Sequence, residues 1–199
     1  MPDLNAVVFS PRSRYIGSLS HGMKLLRTIF RTANRRILAL AALVVALDQA
    51  TKLLVLTLLP RSGAQEKVIL DGFFKFVHWG NTGAAWSMFR GNNDFLALVA
   101  LLALVVLYFS RHHFDIRTKL GQVAFGLISG GIIGNLIDRI RMGHVIDFIY
   151  FYLVRRGGDE IGFPAFNVAD SAICTGVALV FLITWRNESR SRHAQSPAS

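Results

Sequence analysis

Six ionisable side chains sit in otherwise apolar stretches of this 199-residue sequence: Asp48, Lys52, Asp138, Arg139, Asp147 and Asp170. Asp147 lies in Val145-Ile146-Asp147-Phe148-Ile149, a lone carboxyl among bulky apolar neighbours, where desolvation favours the protonated form. Asp170 lies in Phe166-Asn167-Val168-Ala169-Asp170-Ser171, three residues after Asn167 on the same face of a predicted helix. Its first-turn position favours a negative charge through the helix dipole. Surroundings that push two carboxyls in opposite directions are how an acid and a base are assigned within one pair. That chemistry is general acid–base hydrolysis. A single aspartate at a helix start is more often a cap, so the signal is the pair.

The remaining polar residues fall into two groups. Asp48 and Lys52 are four apart and share one helical face with Thr51; they read either as an ion pair pinning a helix to its neighbours or as members of a polar site. Asn135, Asp138 and Arg139 close the run Gly130-Gly131-Ile132-Ile133-Gly134-Asn135-Leu136-Ile137-Asp138-Arg139 and share a face by their spacing of three and four. Asp138 and Arg139, being adjacent, point about 100° apart and need not pair. Asp138 is either a catalytic acid or a hydrogen-bonded helix-end residue.

Other chemistries find little support. The single cysteine, Cys174, excludes an intramolecular disulfide and zinc-type spacing. The six histidines form no H-E-x-x-H pair. A net charge of +10 raises the question of nucleic acid, but the basic residues flank apolar segments instead of forming a stripe.

The elements that must position these groups are membrane helices. Only 17% of residues are charged and 52% are apolar, and the apolar residues gather in long runs. Four spans are predicted at about Ile37–Leu59, Phe95–Phe109, Leu120–Ile140 and Asn167–Trp185, the second short for a bilayer. The third is rich in small residues, including Gly121, Gly126, Ser129, Gly130, Gly131 and Gly134, which let helix backbones approach. Lys and Arg number seven in the N-terminal segment, three between Ser110 and Lys119, and three in the C-terminal tail, against seven in the two longer loops. This asymmetry places both termini in the cytoplasm and the longer loops outside. Asp147 and Asp170 then meet at one outer surface.

Residues 1–34 read as a basic, disordered cytoplasmic segment, 35–186 as a four-helix membrane domain, and 187–199 as a cytoplasmic tail. Residues 1–22 are expected to be disordered or untranslated, because Met23 opens a compact basic lead-in. In the first outer loop, Val68–Trp79 and Ala84–Phe89 read as strands around the turn formers Gly80-Asn81-Thr82-Gly83, with Trp79 and Trp86 suited to the headgroup level. The second outer loop, carrying Phe148–Val154, reads as a short interfacial helix or strand. No internal repeat supports a transporter, although a proton-coupled transporter, a small channel or a non-catalytic assembly factor would also carry intramembrane charges.

Five blocks together resemble the bacterial lipoprotein signal peptidases, the signal peptidase II family: Asp48-Gln49-Ala50-Thr51-Lys52, Asn81-Thr82-Gly83-Ala84-Ala85-Trp86, Gly130 through Arg139, Val145-Ile146-Asp147-Phe148, and Phe166-Asn167-Val168-Ala169-Asp170. The resemblance covers about residues 36 to 186. It implies an all-α inner-membrane aspartic peptidase of four transmembrane helices, with a small periplasmic β-sheet between the first two and a short interfacial segment between the last two. It implies removal of signal peptides from prolipoproteins before a diacylglyceryl-modified cysteine, with Asp147 and Asp170 as the catalytic pair in place of Asp138. Supporting roles then fall to Asp48, Lys52, Asn81, Gly83, Asn135, Asp138, Arg139, Asn167 and Ala169. No metal or organic cofactor is implied. The implied partners are lipidated precursors, membrane lipids and the inhibitor globomycin, with no nucleic acid and no required oligomer. The chain departs from the family pattern at His78-Trp79-Gly80, where an arginine often precedes the asparagine, and at Trp86, where phenylalanine is common.

Overall fold

The helices that carry the site are held together by backbone contact along one glycine-lined helix. A computed structural model describes residues 32–59, 66–83 and 91–195. Its helices are α1 (Ala33–Leu58), α2 (Asn93–Phe109), α3 (Lys119–Met142) and α4 (Val168–Gln195). A 3-10 turn, Arg111–Phe114, links α2 to α3. Thr32 and Thr118 cap α1 and α3 through their hydroxyls. Gly143, at φ +73, ends α3 in the left-handed conformation that a side chain resists.

α3 is central. On one side Gly126, Gly130 and Gly134 lie against Leu40, Val44 and Asp48 of α1, so α1 and α3 run parallel. On the other, Gly131 meets Ala169 and Ile173 while Gly176 meets Ile128, so α4 runs antiparallel. A Cβ at Gly134 would stand 2.6 Å from the Asp48 carboxylate, so the small-residue run is what lets the polar residues meet.

α1, α3 and the stretch Val168–Arg190 of α4 are long and apolar enough to cross a membrane. α2 is more apolar than these but has 17 residues, about 25 Å at 1.5 Å per residue. Leu98, Leu101, Leu102 and Val106 on α2 are all more than half exposed, a surface suited to lipid. The helix bounds differ from the expected spans mainly at the C-terminal end, where α4 continues to Gln195 through residues expected to be a separate tail. The expectations for residues 1–31, and the Ala84–Phe89 strand with Trp86, lie outside the described residues.

Four antiparallel strands form one sheet in the order β1 (Lys67–Leu70), β2 (Phe74–Asn81), β3 (Val145–Val154) and β4 (Glu160–Gly162). This corrects the sequence reading in two ways. The run Val68–Trp79 is a hairpin split at Asp71-Gly72-Phe73, with Gly72 at φ +70. The second long connection contributes two strands to the same sheet, so the sheet draws on both connections and not on the first alone.

The two sheet faces differ in chemistry. On one, Phe74 stacks on Phe151, which also meets Phe73 and Phe166. On the other, buried Lys75 lies 4.7 Å from the Tyr152 ring centroid and 5.5 Å from that of Tyr150. Its ammonium pairs with Glu66 and Glu160, which flank opposite edges of the sheet. Burial pulls the Lys75 pKa down, but the two glutamates outweigh it and hold the group above its ordinary 10.5.

Candidate active site

The end of the β2–β3 ladder nearest the helices pairs Trp79 with Asp147 and Asn81 with Val145. Asn81 donates from Nδ2 to Asp147 Oδ2 at 2.9 Å, while its Oδ1 accepts from the Gly83 N–H at 2.9 Å. The other Asp147 oxygen, Oδ1, accepts from Asn167 Nδ2 at 2.9 Å. Asn167 precedes the first residue of α4 and caps it, its Oδ1 accepting from the Asp170 N–H at 2.9 Å. One asparagine therefore engages both candidate aspartates: its side chain donates to the Asp147 carboxyl and its backbone N–H to the Asp170 carboxyl.

Asp170 accepts on Oδ1 from Asn135 Nδ2 at 2.7 Å and on Oδ2 from the Asn167 N–H at 3.2 Å. Asn135 Oδ1 in turn accepts from Asn167 Nδ2 at 3.1 Å and Lys52 Nζ at 3.0 Å. Burial raises the Asp147 pKa, and the charge of Asp170 adds to it. Hydrogen bonds from Asn81 and Asn167 and the charge of Lys52 oppose the rise, leaving Asp147 at about 7. The expected opposition between the two environments is not found: Asp147 is 4% exposed, Asp170 is also partly enclosed, and both carboxyls are held by amide donors.

Behind the pair lies a buried ionic layer. Lys52 Nζ sits 2.8 Å from Asp48 Oδ2 and 2.7 Å from Asp138 Oδ2, all three side chains no more than 3% exposed. Asp48 Oδ1 accepts from the Ala169 N–H at 3.0 Å, and Asp138 Oδ2 from the Ile146 N–H at 3.2 Å. Asp138 is thus engaged by Lys52 and the backbone beside Asp147. Of its two readings, the structure gives the hydrogen-bonded helix-end residue. Asp48 and Lys52 likewise pair, and the same lysine reaches the site through Asn135. Arg139 turns away from Asp138: its Nη2 donates to Gly83 O at 2.8 Å. Ala169 serves through its backbone and its small size, since Gly131 and Gly134 both approach it.

All eleven residues singled out from the sequence therefore meet in one connected network. Two more belong to it. Gln49 donates from Nε2 to Asp138 Oδ1 at 2.9 Å and Gly134 O at 3.3 Å; its amide within an apolar helix was the available signal. Asn93 touches Arg139 from the start of α2, and no local pattern marks it. Among the described residues, no group of three or more His, Cys, Asp or Glu side chains could hold a metal ion. Two carboxyls joined through one buried asparagine, one of them titrating near neutrality, can polarise a water and protonate a leaving group.

The sequence pattern of the family described as signal peptidase (SPase) II matches residues 40–186. The chain belongs to this family. Among similar proteins, the lipoprotein signal peptidase of Symbiobacterium thermophilum is 42% identical over 146 residues, covering 73% of this chain and 91% of the relative. That of Syntrophotalea carbinolica is 38% identical over 161 residues, covering 78% and 94%. A solved structure of a bacterial membrane enzyme superposes with a TM-score of 0.66 at 28% identity, covering 82% of this chain and 93% of the other. The signal peptidase II match spans α1 to α4, so it includes every residue of the network.

Proposed function

We propose that this chain is an aspartic endopeptidase that removes signal peptides from diacylglyceryl-modified prolipoproteins, cutting before the lipidated cysteine with Asp147 and Asp170. Its place in the signal peptidase II family carries the peptidase activity on prolipoproteins. The observation that supports the aspartic mechanism is the shared hold of Asn167 on both carboxyls, through its side-chain amide on Asp147 and its backbone N–H on Asp170, with Asp147 poised near neutrality.

The pair carries one proton, because two close carboxyls resist ionising together. The ionised member takes a proton from water as its oxygen attacks the scissile carbonyl carbon. The protonated member gives its proton to the carbonyl oxygen, forming a neutral tetrahedral diol and leaving the pair with the one proton taken from water. The nitrogen then takes the proton of the pair, the C–N bond breaks, one diol hydroxyl returns its proton to the pair, and the two products are a carboxylic acid and an amine. General acid–base action of this kind contributes about 10²–10⁴-fold; positioning and exclusion of water supply the rest. The titration belongs to the pair, so neither residue is permanently the acid.

In this reading the enzyme spans the bacterial inner membrane four times with both termini cytoplasmic, α2 crossing as a short span where the bilayer thins. The asymmetry of Lys and Arg supports that orientation. The site then faces the periplasm, and an acylated precursor reaches it by lateral diffusion. The experiment is a gel-shift assay on one diacylglyceryl precursor, with and without globomycin. Cleavage at the lipidated cysteine, blocked by globomycin, is expected; no cleavage of the lipidated form by folded protein would overturn the reading.

A further inference from the structure

Asn93 opens α2 and meets Arg139 with both ends of its amide. Its Nδ2 donates to Arg139 O at 3.1 Å, and its Oδ1 accepts from Arg139 Nη1 at 3.4 Å. From Arg139 the contacts continue without a break. Nη2 donates to Gly83 O at 2.8 Å, the Gly83 N–H donates to Asn81 Oδ1 at 2.9 Å, and Asn81 Nδ2 donates to Asp147 Oδ2 at 2.9 Å. This path ends on a reacting carboxyl.

We propose that Asn93 is a positioning residue for the hydrolysis, holding the Arg139 guanidinium against Gly83 so that Asn81 presents its NH2 group, and not its oxygen, to Asp147. The inference rests on the proposed Asp147–Asp170 chemistry.

Arg139 is a long side chain, and among the described residues no carboxylate lies within ion-pair distance of it. Its side-chain hydrogen bonds go to neutral acceptors, the Gly83 carbonyl and the Asn93 amide, within the field of Asp147, Asp170 and Asp138. Without Asn93 the guanidinium keeps one acceptor and gains freedom at the other. Asn81 depends on the same corner: the Gly83 N–H on Oδ1 and the Asp147 carboxyl facing Nδ2 together select the orientation that donates. The reverse orientation would set a carbonyl oxygen against a carboxylate. Asn93 therefore acts on the chemistry through three intermediaries, Arg139, Gly83 and Asn81, from a helix that, among the described residues, adds no other side chain to this path.

The test uses the full chain in membranes with a diacylglyceryl precursor. Asn93→Ala is expected to lower kcat about three- to tenfold with KM within about twofold, the scale of coupling within one hydrogen-bond network. Asn93→Asp, which keeps an acceptor facing Nη1, is expected to retain more kcat than Asn93→Ala. Asn92→Ala alters the same helix start, where Asn92 makes no side-chain capping bond, and is expected to change neither constant. In an Arg139→Lys background, Asn93→Ala should add less than about 1.5-fold. The proposal is overturned if Asn93→Ala keeps kcat, if its loss lies wholly in KM, if Asn93→Asp is no better than Asn93→Ala, or if its effect multiplies with that of Arg139→Lys. Failure of the unaltered chain to cleave would instead overturn the peptidase mechanism itself.

Discussion

Asn167 and Asp170 hydrogen-bond each other twice: the Asp170 N–H donates to Asn167 Oδ1 at 2.9 Å, and the Asn167 N–H to Asp170 Oδ2 at 3.2 Å. This is the reciprocal geometry of a capping box, built with a shorter acid. In most helices such a box ends its task at the cap. Here the asparagine amide also reaches Asp147, so the start of α4 serves both the helix and the carboxyl pair.

Asn167→Ala should therefore show two effects at once. Loss of the cap should lower stability by about 0.5–2 kcal/mol. Loss of a donor that favours the ionised form should move the Asp147 pKa above about 7. Thermal unfolding reads the first effect, and the titration of the carboxyl infrared band reads the second.

The pH dependence of stability follows from the raised Asp147 pKa. A carboxyl raised from 3.8 to about 7 on folding favours the folded state most when protonated. That contribution is fully present below about pH 4 and is lost as pH rises through about 7. The unfolding midpoint of the wild-type chain should accordingly decline across this window, and Asp147→Asn should flatten the decline. Cleavage should also fall above about pH 7, as the pair loses its shared proton.

Lys52 is the most exacting position away from the pair. Its ammonium lies between Asp48 and Asp138, and all three are buried. Lys52→Met would leave two carboxylates facing each other without a cation, a loss of about 3–5 kcal/mol. Adding Asp48→Asn and Asp138→Asn to Lys52→Met removes those two charges and should recover part of that stability. Unfolding in detergent measures both.

How much of this was legible beforehand can be judged residue by residue. Asp147 and Asp170 stood out because charge is rare in apolar runs, and the glycines of α3 because small residues permit helix contact. Gly83 stood out locally as a turn former and as a site residue only by resemblance, and its link to Arg139 joins residues 56 apart in sequence. The pairing of β2 with β3 was hidden for the same reason: strand partners from separate connections leave no local trace. The Asp71-Gly72 turn was obscured because the apolar run continues through Phe73 and Phe74, outweighing a two-residue turn signal. Asn93 lay at a helix start rich in polar residues, where one asparagine looks like another.

Lys75 was visible only as an interruption of an aromatic strand. Placed between two tyrosines and two glutamates, it ties the sheet's edges to its centre. Lys75→Met should cost about 1–2 kcal/mol, the scale of a desolvated cation–π contact, while Lys75→Arg should cost less. Proteolysis of the sheet under native conditions would register the difference.

The most direct measurement is cleavage of a diacylglyceryl precursor by Asp147→Asn and by Asp170→Asn, each shown to be folded in the membrane. Each should lose activity by at least about a hundredfold, the lower range for a general acid–base group. Near-normal turnover by either folded variant would contradict the assignment of the carboxyl pair.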